Sequence, residues 1–263
     1  MKFQLRYFAV GIVFALLLGL YSCFSAVNKS TLVVAIASSL TDVMAEVRTE
    51  FQAQYPDISI QFNTAASGTL QRQIEQRAPI DIFASAALEP IQSLVQKDFI
   101  SPESIRIFAQ NQLVLIQTKD SKPRLKTLTD LGVNDVQKIA MGNPKTVPAG
   151  KYTANLLEKY PQLYQQLQKG QKIVFAENVR QVLTYVQNQA VVAGFVYRTD
   201  ILQQSDLEII ESFPEALTAP IVYAIAPIKA SPSPTQAQLF IDFVLGEQGQ
   251  IILQRYGFLS PKD

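Results

Sequence analysis

The stretch TLVVAIASSLTDVMAEVRTEF, residues 31–51, predicts a buried strand followed at once by a helix. Residues 31–37 form a continuous apolar run, as expected for a strand that is covered on both faces of a sheet. Apolar residues then recur every three or four positions from Leu40 to Phe51, which is the spacing of one buried helical face. A strand that leads directly into a helix is the unit from which helix-covered parallel sheets are built.

The same strand and helix patterns recur along the rest of the chain in two series. Strands are predicted at residues 58–65 and 80–86 in the first series, and at 138–142, 172–176 and 190–197 in the second. A further strand is predicted at residues 207–213, and two amphipathic helices are predicted around Phe240 and Ile252. This alternation predicts an α/β protein.

One strand-like segment precedes the second series and another follows it, and we expect the chain to cross from one lobe to the other near these two segments. These segments are residues 111–117 and 219–227. The sequence therefore predicts two lobes, with residues 31–112 and 221–263 in the first and residues 113–220 in the second. Each lobe is predicted to be a mostly parallel sheet flanked by helices, and in such open sheets ligands bind outside the carboxyl ends of the strands.

The N-terminus, MKFQLRYFAVGIVFALLLGLYSC, has the features of a secretory signal peptide over residues 1–22. Two basic residues precede an apolar run that is shorter than the roughly 20 residues needed to span a bilayer. The segment before Cys23, the single cysteine of the chain, resembles the site at which lipoproteins are cleaved and acylated. An ordinary signal peptide and an uncleaved membrane anchor are the alternatives.

The composition excludes several classes of function. The chain has no histidine, so Ser-His-Asp and Cys-His catalytic sets and the usual zinc sites cannot form. It lacks the glycine motifs that cradle nucleotides, and a formal net charge of +1 makes nucleic acid an improbable partner. Asp42 and Glu46 lie one helical turn apart and are interpreted as a solvated face, not as a catalytic acid pair. A binding protein is favoured over an enzyme.

Three junctions at which a strand or turn leads into a helix carry small polar residues or tight turns. Ser39 follows the first strand and lies three residues before Asp42, which is the spacing of a capping box. Ser67 follows the second strand, and residues 148–150, Pro-Ala-Gly, precede a predicted helix of the second series. Helix N-termini favour anions, so three that converge would form an anion site. Ordinary helix caps at the serines, and a plain turn at 148–150, are the alternatives.

Several blocks of sequence carry a resemblance to a known family. They are VVAIASSLTDVMAEVRTEF, FNTAASGTLQRQIEQRAPIDIFASA, MGNPKTVPAGKYT, AENVRQVL, AGFVYRTD and QRYGF, in this order along the chain. In these blocks the chain resembles the molybdate-binding proteins of bacterial ABC importers. The similarity covers essentially the whole mature chain and implies the two-lobed periplasmic-binding-protein fold.

The resemblance also implies a ligand and a set of contacts. The expected ligand is molybdate or tungstate in the cleft between the two lobes, with no cofactor and no direct protein ligand to the metal. Carried over by position, Ser39 and Ser67 would donate hydroxyl and amide hydrogens, Ala149 and Val179 would donate backbone N–H groups, and Tyr197 would donate its phenolic O–H. Taken without the resemblance, the Val179 side chain is predicted to pack in the core and Tyr197 to be a partly buried structural residue.

The resemblance further implies a monomer on the extracytoplasmic side of the membrane, with an importer permease as its partner. Sulfate or phosphate as the ligand, a membrane-attached sensory module and an enzyme that uses cleft carboxylates are the alternatives. Because every proposed ligand group is neutral, we expect an affinity that is nearly flat between pH 6 and 8.

Overall fold

The computed structural model describes residues 30–261. The predicted signal peptide at residues 1–22 and the predicted lipidation site at Cys23 lie outside this range. Within residues 30–261, no helix combines the length and the apolar composition that crossing a membrane requires.

The described chain forms two sheets of five strands each. The strands are β1 (Ser30–Ala37), β2 (Ile58–Ala65), β3 (Ile82–Ser85), β4 (Arg106–Asn111), β5 (Leu113–Thr118), β6 (Ile139–Gly142), β7 (Ile173–Ala176), β8 (Ala193–Tyr197), β9 (Leu207–Ser212) and β10 (Ile221–Pro227). Their order is β2-β1-β3-β10-β4 in the first sheet and β7-β6-β8-β5-β9 in the second.

The two sheets share one pattern of strand directions. In the first sheet β1 is parallel to β2 and β3, whereas β10 is antiparallel to both β3 and β4. In the second sheet β6 is parallel to β7 and β8, and β5 is antiparallel to β8 and β9. Four strands of each sheet therefore run in one direction, in agreement with the predicted fold class.

Helices cover the sheets and begin where the parallel strands end. They are α1 (Thr41–Gln54), α2 (Ser67–Glu75), α3 (Leu88–Gln96), α4 (Pro148–Glu158), α5 (Pro161–Lys169), α6 (Val179–Gln187), α7 (Glu215–Thr218), α8 (Pro234–Leu245) and α9 (Glu247–Arg255). Short 3-10 helices include Ser38–Leu40, which leads into α1, and Arg198–Ile201, which follows β8.

The strand β1 is buried on both faces, as its apolar run predicts. Leu32 and Ile36 belong to the larger apolar core, whereas Ala35 packs with Leu70 and Phe83 on the opposite face. Complete burial of a large apolar side chain stabilises the fold by about 1.5–3 kcal/mol, so this central strand anchors the first lobe.

The crossings between the sheets differ in detail from the sequence prediction. Residues 111–117 were expected to form one strand, but the chain has two, β4 in the first sheet and β5 in the second, separated only by Gln112. The second crossing precedes β10 and contains Ala219, whose φ is 64°. A strand pattern reports burial but not the sheet to which a strand belongs, and for this reason β4 was missed.

Candidate functional site: a closed cavity between the lobes

A small cavity lies between the two lobes and brings all five predicted ligand residues together. Its lining comprises Ala37, Ser38, Ser39, Ala66, Ser67, Ala86, Val147, Pro148, Ala149, Val179 and Tyr197. All of them except the half-buried Pro148 are buried, and Ser67 is completely buried. The cavity leaves only about 10 Å³ for the centre of a water-sized sphere, so the two lobes lie close together around it.

Helix N-termini from both lobes point at this cavity. Ser67 is the first residue of α2, and Val179 is the first residue of α6. Ala149 is the second residue of α4, after Pro148. First-turn N–H groups have no partner inside their own helix, and the helix dipole places partial positive charge at this end. The backbone at Ser67, Ala149 and Val179 thus favours an anion in the cavity, whereas Pro148 has no N–H to donate.

The two serines of the site do not cap their helices. The residue preceding α1 is Leu40 and the residue preceding α2 is Ala66, and neither helix has a side-chain capping hydrogen bond. Ser39 Oγ instead lies 2.9 Å from Tyr223 Oη, and Ser67 Oγ accepts a hydrogen bond from the Ala86 backbone N–H at 3.1 Å. The capping box predicted for Ser39 and Asp42 is therefore wrong.

Tyr197 places a buried phenol at the cavity. The residue is only 1% exposed, and its Oη has no hydrogen-bond partner among residues 30–261. Burial raises its pKa well above the ordinary value, and Tyr223 adds to this rise, so the group remains a neutral donor. A buried unpaired hydroxyl is costly, so a ligand that accepts its hydrogen bond would remove a real penalty.

Asp200 is an ionisable residue next to the site that the sequence interpretation missed. Its Oδ2 accepts a hydrogen bond from the Tyr197 backbone N–H at 2.9 Å, and its Oδ1 has no partner within the described chain. Burial raises the pKa of this carboxyl to about 7, although the Tyr197 N–H and the positive charge of Arg180 oppose the rise. The only sequence signal was its position three residues after Tyr197.

No charged side chain is among the eleven residues that line the cavity. Residues 30–261 contain no group of three or more His, Cys, Asp or Glu side chains placed to hold a metal ion. An oxyanion here would therefore be held by neutral hydrogen-bond donors. Hydrogen bonds of this kind to a charged group contribute about 1.5–3 kcal/mol each.

Two ion pairs join the lobes at the edge of the cleft. Asp42 of α1 pairs with Arg180 of α6, and Glu89 of α3 pairs with Lys151 of α4. In both pairs the first lobe supplies the carboxylate and the second lobe supplies the cation. We call Asp42, Glu89, Lys151 and Arg180 the cleft rim.

Gly68 permits a close backbone approach between the lobes. Its N–H donates a hydrogen bond to the Thr146 carbonyl of the second lobe at 3.0 Å. A Cβ at this position would lie 2.8 Å from that carbonyl oxygen and 3.0 Å from the Thr146 Cα. Any side chain at Gly68 would therefore push the lobes apart next to Ser67.

The fold and the cavity define a class, the two-lobed α/β proteins that close around a small solute. Residues 32–259 match the family model of the bacterial extracellular solute-binding proteins, and the chain belongs to this family.

Individual relatives are similar over most of the chain. The ABC transporter substrate-binding lipoprotein YvgL of Bacillus subtilis (strain 168) is 32% identical over 89% of this chain and 88% of its own length. The molybdate-binding protein ModA of Escherichia coli (strain K12) is 30% identical over 88% of this chain and 90% of its own. The substrate-binding domain of a molybdenum ABC transporter from Clostridium difficile superposes with a TM-score of 0.67 at 34% identity, over 89% of this chain and 100% of that domain.

Proposed function

We propose that this protein binds molybdate or tungstate outside the cytoplasm and delivers the ion to an ABC importer. The observation that carries the proposal is the buried, uncharged cavity at which helix N-termini of both lobes meet the unpaired Tyr197 hydroxyl. The similarity to a ModA protein and to a molybdenum transporter domain supports the choice of ion.

The physical basis is the compensation of lost hydration by converging donors. A buried dianion is stable only when its oxygens are hydrogen-bonded, because desolvation of a charge costs several kcal/mol. Five residues of the cavity supply suitable groups: the hydroxyls of Ser39, Ser67 and Tyr197, and the backbone N–H groups of Ala149 and Val179. Neutral donors avoid a second buried charge that would itself need a partner.

Sulfate is a second candidate, favoured by one observation. The cavity is small, and sulfate is a smaller tetrahedral dianion that the same donors suit. The two ions have the same charge and the same tetrahedral symmetry. Their relative affinities would therefore depend on how well the lobes close around an ion of each size.

The remaining parts of the proposal concern the cellular setting. We expect a monomer that performs no catalysis, uses no cofactor and hands its ion to a membrane permease. A lipid on Cys23 would hold the protein at the outer face of the cytoplasmic membrane, in line with the lipoprotein name of the Bacillus relative. Mass spectrometry of the protein from the membrane fraction would detect a lipid on Cys23. Cys23→Ala should release the protein from that fraction.

Titration calorimetry with molybdate, tungstate, sulfate and phosphate tests the function directly. The mature protein should bind molybdate or tungstate most tightly, and Ser39→Ala should weaken binding about 10- to 100-fold, as expected for a lost hydrogen bond to a charged group. Ser121→Ala is the matched control, because Ser121 is also buried but lies away from the cavity. Failure to bind molybdate, tungstate or sulfate would overturn the proposal, even if phosphate binds.

A further inference from the structure

A buried series of hydrogen-bonded side chains lies behind Ser39 and contacts its hydroxyl. Tyr223 of β10 is completely buried and does not line the cavity. Its Oη lies 2.9 Å from Ser39 Oγ and 3.3 Å from Asn111 Nδ2 at the end of β4. Asn111 is buried as well, so water does not replace these contacts.

The backbone sets the orientation of the Asn111 amide. The Gln112 N–H donates to Asn111 Oδ1 at 2.8 Å, which places the amide oxygen on that side and the NH₂ group on the other. One Nδ2 hydrogen then goes to Thr199 Oγ1 at 2.9 Å, and the other goes to Tyr223 Oη. Asn111 is therefore a donor to Tyr223 and cannot accept from it.

This polarity passes along the chain to the cavity. Tyr223 accepts from Asn111 and has a single proton of its own, and Ser39 Oγ is the acceptor within reach of that proton. Burial raises the pKa of Tyr223 well above its ordinary value, so the proton remains on the phenol. With its oxygen already accepting, Ser39 has its own hydrogen left to donate.

We propose that Asn111 and Tyr223 are positioning residues that orient the Ser39 hydroxyl as a donor toward the bound oxyanion. The inference rests on the proposed function, since it assigns a role within the same site. Ser67 reaches the same state by a different route, because the backbone N–H of Ala86 donates to its oxygen. The first serine thus depends on two side chains, and the second depends on the backbone alone.

The arrangement also connects the site with the region where the chain crosses between lobes. Asn111 and Gln112 form the first crossing, β10 follows the second, and Thr199 belongs to the second lobe. The Asn111–Thr199 hydrogen bond therefore links the orientation of Ser39 to the position of the other lobe.

A double-mutant cycle in molybdate affinity tests the proposal. Tyr223→Phe retains the ring and removes the donor, so the Ser39 hydroxyl can turn back, and we expect affinity to fall about 5- to 20-fold. In the Ser39→Ala background the same change should alter affinity less than twofold, because the hydroxyl that it orients is gone. Tyr164→Phe, a half-buried tyrosine of α5, is the control and should leave affinity unchanged.

The non-additivity separates positioning from a general structural role, which would weaken binding equally in both backgrounds. Thermal unfolding of the ligand-free variants checks that each one folds. Asn111→Ala is the second variant, since it removes the donor to Tyr223, and it should show the same dependence on Ser39. Equal losses in both backgrounds, or no loss with Tyr223→Phe, would overturn the positioning role while the unaltered protein still binds molybdate. Failure of the unaltered protein to bind any of molybdate, tungstate and sulfate would overturn the proposed function itself, and the positioning role with it.

Discussion

The interior of the cleft and the cleft rim use opposite chemistry, although helices α4 and α6 contribute residues to both. Inside, the lining is uncharged and its polar groups are hydroxyls and helix-terminal amides. At the rim, Asp42 pairs with Arg180 and Glu89 pairs with Lys151 across the gap. The difference shows that holding an ion and holding the lobes together are separate tasks in this protein.

Solvent exposure explains the division. A cation in the buried interior would need a permanent partner and would bind many anions, whereas oriented neutral donors select for geometry. At the rim the side chains of Lys151 and Glu89 are 49% and 65% exposed, so their ion pair is screened by water and stabilises closure only slightly.

The largest effect is expected from a charge placed in the interior. Ala149→Asp would put a carboxylate where the cavity receives a dianion, and repulsion of about 4 kcal/mol per unit charge at 4 Å corresponds to a loss of at least about 1000-fold in affinity. Asn155→Asp, on an exposed part of α4, places the same charge outside the cavity and should change affinity less than threefold. Calorimetry with molybdate compares the two, and comparable losses would show that the interior is not the binding site.

A smaller loss is expected from a methyl group between the lobes. Gly68→Ala would bring a Cβ within 2.8 Å of the Thr146 carbonyl oxygen, so the lobes could not close fully and affinity should fall about tenfold. Gly170→Ala is the control, because the nearest atoms to its Cβ are 3.2 Å away and it lies at the end of α5. Small-angle scattering with and without molybdate should show incomplete closure in Gly68→Ala alone.

Asp200 should make the stability of the protein depend on pH. Its pKa of about 7 in the folded protein exceeds the ordinary value of 3.8, so between about pH 4 and 7 the folded state binds more protons than the unfolded state. The free energy of unfolding should therefore fall as pH rises through this window, by at most about 1.4 kcal/mol per unit, and the loss should be complete above pH 7. Asp200→Asn should remove this slope in denaturant unfolding.

Other carboxyl groups change the free energy of unfolding with pH in the opposite direction, but they are present in both the unaltered protein and Asp200→Asn. Hydrogen bonds from Lys97 to Glu75, and from the Lys126 backbone N–H to Asp130, hold the pKa values of these two acids below their usual range. Their contribution is lost as pH falls through those lowered values, below the Asp200 window. An identical slope in Asp200→Asn and the unaltered protein would exclude Asp200 as its source.

The same residue changes the expectation of an affinity that is flat between pH 6 and 8. An ionised Asp200 next to Tyr197 would repel a dianion, so affinity should fall above about pH 7, by at most about tenfold per unit. Arg180 and Asp42 are the nearby charges that modulate it, with opposite signs. Titration with molybdate at pH 6, 7 and 8, with Asp200→Asn as the comparison, measures the effect. Equal affinities of the unaltered protein at all three pH values would show that Asp200 does not influence binding.

The smallest effect belongs to the rim. Glu89→Gln removes one exposed ion pair worth about 0.2–1 kcal/mol, so molybdate affinity should fall no more than about fivefold, and high salt should abolish the difference. Glu103→Gln, on a carboxylate outside the cleft, is the control. A loss of affinity as large as that of Ser39→Ala would show that the cleft rim takes part in binding the ion, as the interior does.

The two α/β series and the junctions where the site lies are predictable from the amino-acid sequence, because strand and helix periodicity are local properties. The five ligand residues were proposed from those junctions and from the family resemblance, and the structure brings them around one cavity. Their individual contacts with an ion stay a prediction.

The groups that surround these residues come from distant parts of the sequence and meet only in the folded chain. Ser39 and Tyr223 are 184 residues apart, and Asp42 and Arg180 are 138 residues apart, so neither pairing follows from local spacing. Local spacing instead suggested a capping box between Ser39 and Asp42 that does not form. The raised pKa of Asp200 likewise depends on burial, which arises when distant elements pack around the residue. The local pattern points to the junctions at Ser39, Ser67 and Ala149, and the family resemblance adds Val179 and Tyr197. The orientation and the electrostatic surroundings of all five follow from contacts that only the folded chain creates.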